Sequence, residues 1–186
     1  MQRIRPVDLS EVKGRTEQLV ECAGIALGDA PNMIRTLATS PAALEGYLTL
    51  NSALSAGQLT SIFRQKIALA VAQANSCEYC LSAHSAIGKM VGLKPEEIAT
   101  SREAHSADAK RDAGLQFVQA LVVQRGMVSD QAVAHVKAAG FSDGDIAEIV
   151  ANVAVNIFTN YFNLVAQTEV DFPRVSLAME PSVAVV

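Results

Sequence analysis

The stretch over residues 145–168 constrains the fold more than any other. Apolar side chains recur there at Ile146, Ile149, Val150, Val153, Val155, Ile157, Phe158, Tyr161, Phe162, Leu164 and Val165. Wound at 3.6 residues per turn they surround the axis, and a helix apolar on every side is buried. Ser142-Asp143-Gly144-Asp145 in front of it has the form of a capping box. Asp171-Phe172-Pro173 ends it. Asn152, Asn156, Asn160 and Asn163 make a polar ladder along one side. Buried amides need partners. The ladder is therefore an internal hydrogen-bond network, or else the wall of a subunit interface or of an active-site pocket.

The rest of the chain repeats the helical period. Residues 16–27 place Leu19, Val20, Ala23 and Leu27 on one face, and Gly28 stops them. Pro31 opens a short helix to Thr39. Ser40 caps the next, with Pro41 at its first position, where a missing N–H costs nothing. Residues 59–74 put Leu59, Ile62, Phe63, Ile67, Ala70, Val71 and Ala74 on one stripe. Pro95 begins another helix with two acids in its first turn. The polar run 101–112 is the expected hinge between two halves. Helices follow from about Asp108 to Arg125 and from Ser129 to Gly140. No segment alternates with period two, so the chain is expected to be all-α, a single compact domain of about eight or nine helices. A loose arm over 1–15, the helical domain over 16–175 and a tail over 176–186 complete the expected organisation.

The stripe at 59–74 runs into Ser76-Cys77-Glu78-Tyr79-Cys80-Leu81-Ser82-Ala83-His84. With Ser76 as N-cap, Cys77 occupies the first helical position and Cys80 follows one turn on. Cys77, Cys80 and His84 then share a face. Cα atoms at this spacing are about 5 Å apart, within reach of a disulfide. A thiol with pKa near 8.5 is only about 3% thiolate at pH 7. A helix N-terminus gives an anion roughly 0.3–1 kcal/mol, less than one pKa unit. A further group must activate the sulfur, and His84 is placed to do so as proton acceptor or as imidazolium. Structural zinc would need a fourth ligand from Cys22, His105 or His135. Haem attachment needs His directly after the second Cys, where Leu81 stands, and a thioredoxin-type site needs a preceding strand. Two inert buried cysteines are the remaining alternative. Elsewhere Cys22 reads as a small core residue, His105 as a solvated residue of the hinge and His135 as a surface histidine.

CEYCLSAHSAIGKMVGL within residues 59–93, together with PNMIRTLATSPAALEGYL and NIFTNYFNLVAQTEVDFPRV, resembles the alkylhydroperoxidase D family, a peroxidase-related branch of the carboxymuconolactone decarboxylase superfamily. The likeness spans about residues 16–175. It implies a thiol peroxidase in which Cys80 attacks the hydroperoxide, Cys77 resolves the sulfenic acid to a disulfide, and His84 belongs to a proton relay. It also implies an external dithiol reductant carried on a lipoylated partner, and a trimer or hexamer. The family's relay begins at a Glu twelve residues before the first Cys; Gln65 stands there, and an amide cannot take the proton. Tyr79 replaces a His of the founding enzyme. Glu78 is a substitute base, although the second residue of a helix commonly faces solvent. A general dithiol–disulfide oxidoreductase or redox sensor, a decarboxylase-like enzyme without thiol chemistry and a non-enzymatic assembly protein are the other readings.

Composition narrows the partners. A net charge of −4 without a basic patch argues against nucleic acid and anionic membrane. Charged residues are 18% against the usual quarter, which points to apolar surface buried between subunits. Three cysteines do not make a secreted disulfide framework. The first residues carry no signal-peptide pattern, no apolar run spans a bilayer without polar interruption, and a cytoplasmic location is expected. No cofactor or metal is called for.

Overall fold

The structure, a computed structural model, describes residues 2–22 and 30–178. The side chain of Cys22, the expected helix end at Leu27 and Gly28, and the tail from residue 179 lie outside the described residues. Among the described residues the chain is all-helical: α1 (Arg15–Cys22), α2 (Asn32–Leu37), α3 (Pro41–Ser55), α4 (Ser61–Ala74), α5 (Glu78–Met90), α6 (Pro95–Arg102), α7 (Ala109–Val123), α8 (Asp130–Ala138) and α9 (Asp143–Ala166).

Helix starts follow local chemistry. The hydroxyls of Ser40, Thr60, Ser129 and Ser142 and the carboxylate of Asp108 each accept an N–H of their own first turn. Each such cap is worth about 1 kcal/mol. Ser142 and Asp145 close the expected capping box reciprocally.

The hub is α4, which packs against α5, α6, α7 and α9. Its residues Lys66 to Ala72 are all buried. Phe63 and Ile67 of α4 meet Leu115 and Val118 of α7, Val136 of α8, and Ile149 and Val153 of α9 in one core. Burying a side chain of that size contributes roughly 1.5–3 kcal/mol. The approach of α7 to α4 needs a glycine: a Cβ on Gly114 would lie 2.7 Å from the Phe63 ring and 2.8 Å from that of Phe141. A second core surrounds the start of α5, and a third gathers Leu9, Val20, Ile34, Leu37 and Leu44. Lys66, 1% exposed, pairs with Glu97 of α6 at 3.1 Å, so its buried charge is compensated.

Two expected loose segments are tied down. The arm is bonded to the body: the Arg3 N–H donates to the Ala166 carbonyl at 2.7 Å, the Val7 N–H to the Arg35 carbonyl at 3.0 Å, and Leu9 is buried. The polar run 101–112 is a braced corner rather than a hinge. Asp112 accepts from the Ser106 N–H at 2.9 Å, pairs with His105 at 3.0 Å and accepts from Gln116 at 2.6 Å. The polarity there satisfies backbone and helix-end groups.

By length and composition α9 could cross a membrane, yet half of its most apolar window is buried in the fold, against α3, α4, α5 and α7. Its remaining apolar residues, Val150, Phe158, Tyr161, Leu164 and Val165, form an exposed stripe.

Candidate functional site

The connection from α4 to α5 is one tight turn. Ser76 occupies the left-handed region, with φ of 55°, and Cys77 rather than Ser76 is the N-cap of α5. Its Sγ accepts the Cys80 N–H at 3.3 Å. The turn that reverses the chain uses up Ser76, so the helix starts one residue later than expected. Cys77 and Cys80 are joined by a disulfide with Cα atoms 5.3 Å apart. Both are nearly inaccessible, at 1% and 3%.

Cys80 and His84 line a cavity of about 150 Å³ whose surface is mostly apolar. Met33, Ile34, Ile87, Val155 and Phe172 supply much of its apolar wall. Cys77 is not part of its lining.

Gln65, which the resemblance places against the thiol pair, meets His84: its Oε1 lies 2.9 Å from His84 Nδ1. A carbonyl oxygen accepts only, so Nδ1 carries the hydrogen and Nε2 keeps the lone pair. Burial holds the His84 pKa down at about 4. Beside the disulfide the ring is thus neutral near pH 7, with desolvation as the cause.

The asparagine ladder answers both expectations for it. The amides of Asn152 and Asn156 donate at 2.8 Å to the carbonyls of Glu148 and Asn152, four residues back. Both side chains also line the cavity. Asn160 accepts from Asn75 at 3.0 Å, bracing α9 on the end of α4. The Asn163 Nδ2 donates to Cys80 Sγ at 3.4 Å, and its Oδ1 has no partner among the described residues.

Three further residues escaped the sequence reading. Arg64 holds α3, α4 and α9 together by donating to Asn152 at 3.3 Å, Ser55 at 2.9 Å and Asn51 at 3.3 Å. Burial lowers its pKa, and Tyr47 and Glu148 oppose that shift. Glu148 accepts from the Gln58 N–H at 2.9 Å and the Leu59 N–H at 3.1 Å, fixing the loop before α4. Ser82 accepts the Val175 N–H at 3.0 Å and holds the final segment on α5. Nothing in the spacing of these residues marks them, because their partners lie far away in the chain.

Tyr79 forms part of the cavity wall. Its hydroxyl accepts the Met33 N–H at 3.1 Å, its ring meets Phe172 edge-on at 5.8 Å, and burial pushes its pKa well above the ordinary phenol range. Glu78 pairs with Arg174 at 3.4 Å on the surface and does not line the cavity, so it does not replace the missing base. The zinc alternative needs both thiols, which here are bonded to each other. His105 is engaged by Asp112, and His135 lies exposed on α8.

Residues 41–122 match the model of the Carboxymuconolactone decarboxylase family. That stretch, somewhat under half of the chain, is what this protein shares with the family. The all-helical architecture is that of alkylhydroperoxidase D-like structures. A peroxidase-related protein from Ralstonia eutropha JMP134, described as an alkylhydroperoxidase AhpD core, superposes with a TM-score of 0.77 at 24% identity, covering 91% of this chain and 92% of that one. The debrominase Bmp8, in complex with 2,3,4-tribromopyrrole, gives a TM-score of 0.74 at 20% identity, covering 90% and 91%. A peroxidase-related protein from Silicibacter sp. TM1040 gives 0.72 at 21% identity, covering 94% of each chain. A comparison with curated proteins finds no match.

Proposed function

We propose that the protein is a thiol-dependent peroxidase that reduces small hydroperoxides through Cys80. The observation that carries this reading is the setting of that sulfur: a mostly apolar cavity, a neutral imidazole on the same wall whose Nδ1 is held by Gln65, and an amide donor at 3.4 Å. In the reduced protein His84 takes the Cys80 proton. The thiolate attacks the terminal peroxide oxygen, an S–O bond forms, and the O–O bond breaks. The departing alkoxide or hydroxide takes the proton back from His84. Cys77, its proton lost to solvent, then attacks the sulfenic sulfur; the S–O bond breaks, and the departing hydroxide takes up a proton to become water, giving the Cys77–Cys80 disulfide. An external dithiol returns the two electrons by exchange. Gln65 fixes the ring and its tautomer but cannot hold the proton, so the relay has two members.

The cavity is about 150 Å³, a volume that holds a benzene-sized guest. It suits hydrogen peroxide and compact organic hydroperoxides. The peroxidase-related descriptions of two similar structures support the same chemistry. The exposed stripe of α9 fits a homo-oligomer, trimer or hexamer, and a lipoylated carrier fits the dithiol requirement. A reducing, cytoplasmic setting belongs to this reading. The mostly apolar cavity and the likeness to a debrominase favour a second one, reductive dehalogenation of a small ring by the same thiols.

The deciding experiment supplies excess dithiothreitol with hydrogen peroxide, cumene hydroperoxide or 2,3,4-tribromopyrrole. Peroxide consumption dependent on both thiols is expected. Intact thiols that ignore peroxide but release bromide would select the second reading.

A further inference from the structure

The Cys77–Cys80 disulfide separates two hollows. Cys80 lies on the wall of the mostly apolar cavity and Cys77 does not. Cys77 lies on the wall of a second hollow of about 610 Å³, and Cys80 does not. This cleft opens between the start of α5, the last turn of α9 and residues 168–177. It is more open than the cavity, and its lining is predominantly polar.

Thiol–disulfide exchange is an in-line displacement: the attacking sulfur approaches along the S–S axis, from the side away from the leaving sulfur. Cys77 is therefore attacked from the cleft, and Cys80 from the cavity. We infer that the cleft is the docking site of a small dithiol reductant, and that oxidant and reductant reach one disulfide through opposite mouths. This rests on the peroxidase reading only for the identity of the oxidant.

The electron count closes. A reductant thiolate attacks Cys77 Sγ, a mixed disulfide forms there, and the bond to Cys80 breaks with its electron pair on Cys80. That leaving thiolate already has its donor, the Asn163 amide at 3.4 Å. The second thiolate of the reductant attacks its own sulfur in the mixed disulfide, closes a cyclic disulfide and releases Cys77 as thiolate, which solvent protonates. The cleft also offers a polar hold. The Thr168 hydroxyl oxygen is buried on its wall with no hydrogen-bond partner among the described residues, beside exposed Glu169. A solvated dithiol entering the other hollow would have to exchange water for a mostly apolar wall.

The test separates the two half-reactions in the full-length protein by timed alkylation and mass analysis. Glu169→Trp and Arg174→Trp, two exposed positions on the cleft, should slow reduction of the disulfide by dithiothreitol at least about tenfold and leave oxidation by hydrogen peroxide within about twofold. Ile87→Phe, inside the cavity, should do the reverse. In Cys80→Ser an aryl disulfide should label Cys77, and the cleft substitutions should slow that labelling as well. Parental rates of both reduction and labelling in the cleft variants, or equal slowing of both half-reactions, overturn the assignment. If the reduced parent ignores peroxide, the peroxidase reading fails, while the reduction and labelling rates still decide the cleft.

Discussion

Cys77 and Cys80 are three residues apart and bonded to each other, yet their surroundings have different origins. Cys77 is placed by its own stretch of chain: it caps α5, and its sulfur accepts the Cys80 N–H at 3.3 Å. The helix-terminus contribution, roughly 0.3–1 kcal/mol, therefore goes first to Cys77. Cys80 is placed by its helix but conditioned from a distance, by Asn163 on α9 and by a histidine that Gln65 of α4 orients. Local geometry makes the pair. Tertiary packing decides which sulfur lines the mostly apolar cavity. Substitutions that act on one sulfur and spare the other test this difference.

The largest effect is expected from the sulfurs themselves. Cys80→Ser should abolish reaction with peroxide. Cys77→Ser should still oxidise once, leaving Cys80 as a sulfenic acid that mass spectrometry or a sulfenic-acid trap reads, without further turnover. An unmodified Cys80 in that variant would break the assignment of roles.

Loss of the base comes next. His84→Ala should slow Cys80 oxidation by about 10²–10⁴-fold, the usual worth of a positioned base. Burial lowers the folded-state pKa from 6.5 to about 4, so the parent rate should lack a histidine limb near neutrality and fall only in acid. The linkage runs in one direction. Below about pH 6.5 the unfolded chain takes up the proton while the folded ring remains neutral. Stability is therefore flat above that pH and falls as pH drops from about 6.5 to about 4, by about 3 kcal/mol in total. Denaturant titrations of His84→Gln should show a shallower acid decline.

Asn163→Leu removes the distant donor. A hydrogen bond to a charged group contributes roughly 1.5–3 kcal/mol, so the Cys80 oxidation rate should fall about 10- to 100-fold. The thiol pKa should rise at Cys80 and not at Cys77, as read by alkylation against pH. Equal shifts at both sulfurs would erase the contrast between them.

A smaller change is expected from Gln65→Glu. A carboxylate against His84 Nδ1–H strengthens the ring as a base, but its own burial raises its pKa. Peroxide turnover should increase roughly tenfold, with more gain at higher pH. Coincident pH–rate profiles for parent and variant would remove Gln65 from the relay.

The smallest effect tests the turn. Ser76 has φ of 55°, a conformation in which an L-residue costs roughly 1–2 kcal/mol and glycine almost nothing. Ser76→Gly should leave thermal stability equal to the parent or raise it by up to about 1 kcal/mol. A loss of stability would mean that the hydroxyl of Ser76, rather than the sulfur of Cys77, serves the start of α5.

Much of the fold and part of the site were legible in the residues. Caps at Ser40, Ser129 and Ser142, the stripe of 59–74 and the all-apolar 145–168 depend on contacts within a few positions, and such contacts follow from spacing. Gln65 and His84, on neighbouring helices, were brought together by the family likeness, and the structure sets them 2.9 Å apart. The errors also have a physical cause. Ser76 has the right side chain for a cap, but the reversal between α4 and α5 demands a left-handed residue at that point, which no local preference announces. The run 101–112 is polar because Asp112 must satisfy Ser106, His105 and Gln116, and sequence polarity does not distinguish a braced corner from a hinge.

By itself, then, the sequence determined the helices, their buried faces and the closeness of two thiols, since each is set by the 3.6-residue period and by side chains bonding their own backbone. Only the tertiary structure decided that Asn163 turns to Cys80 from 83 positions away, that burial keeps His84 neutral, and that Cys77 and Cys80 look into different hollows. Those outcomes depend on which surfaces α4, α5 and α9 bury against one another. Periodicity says that a face is buried and is silent on what it meets.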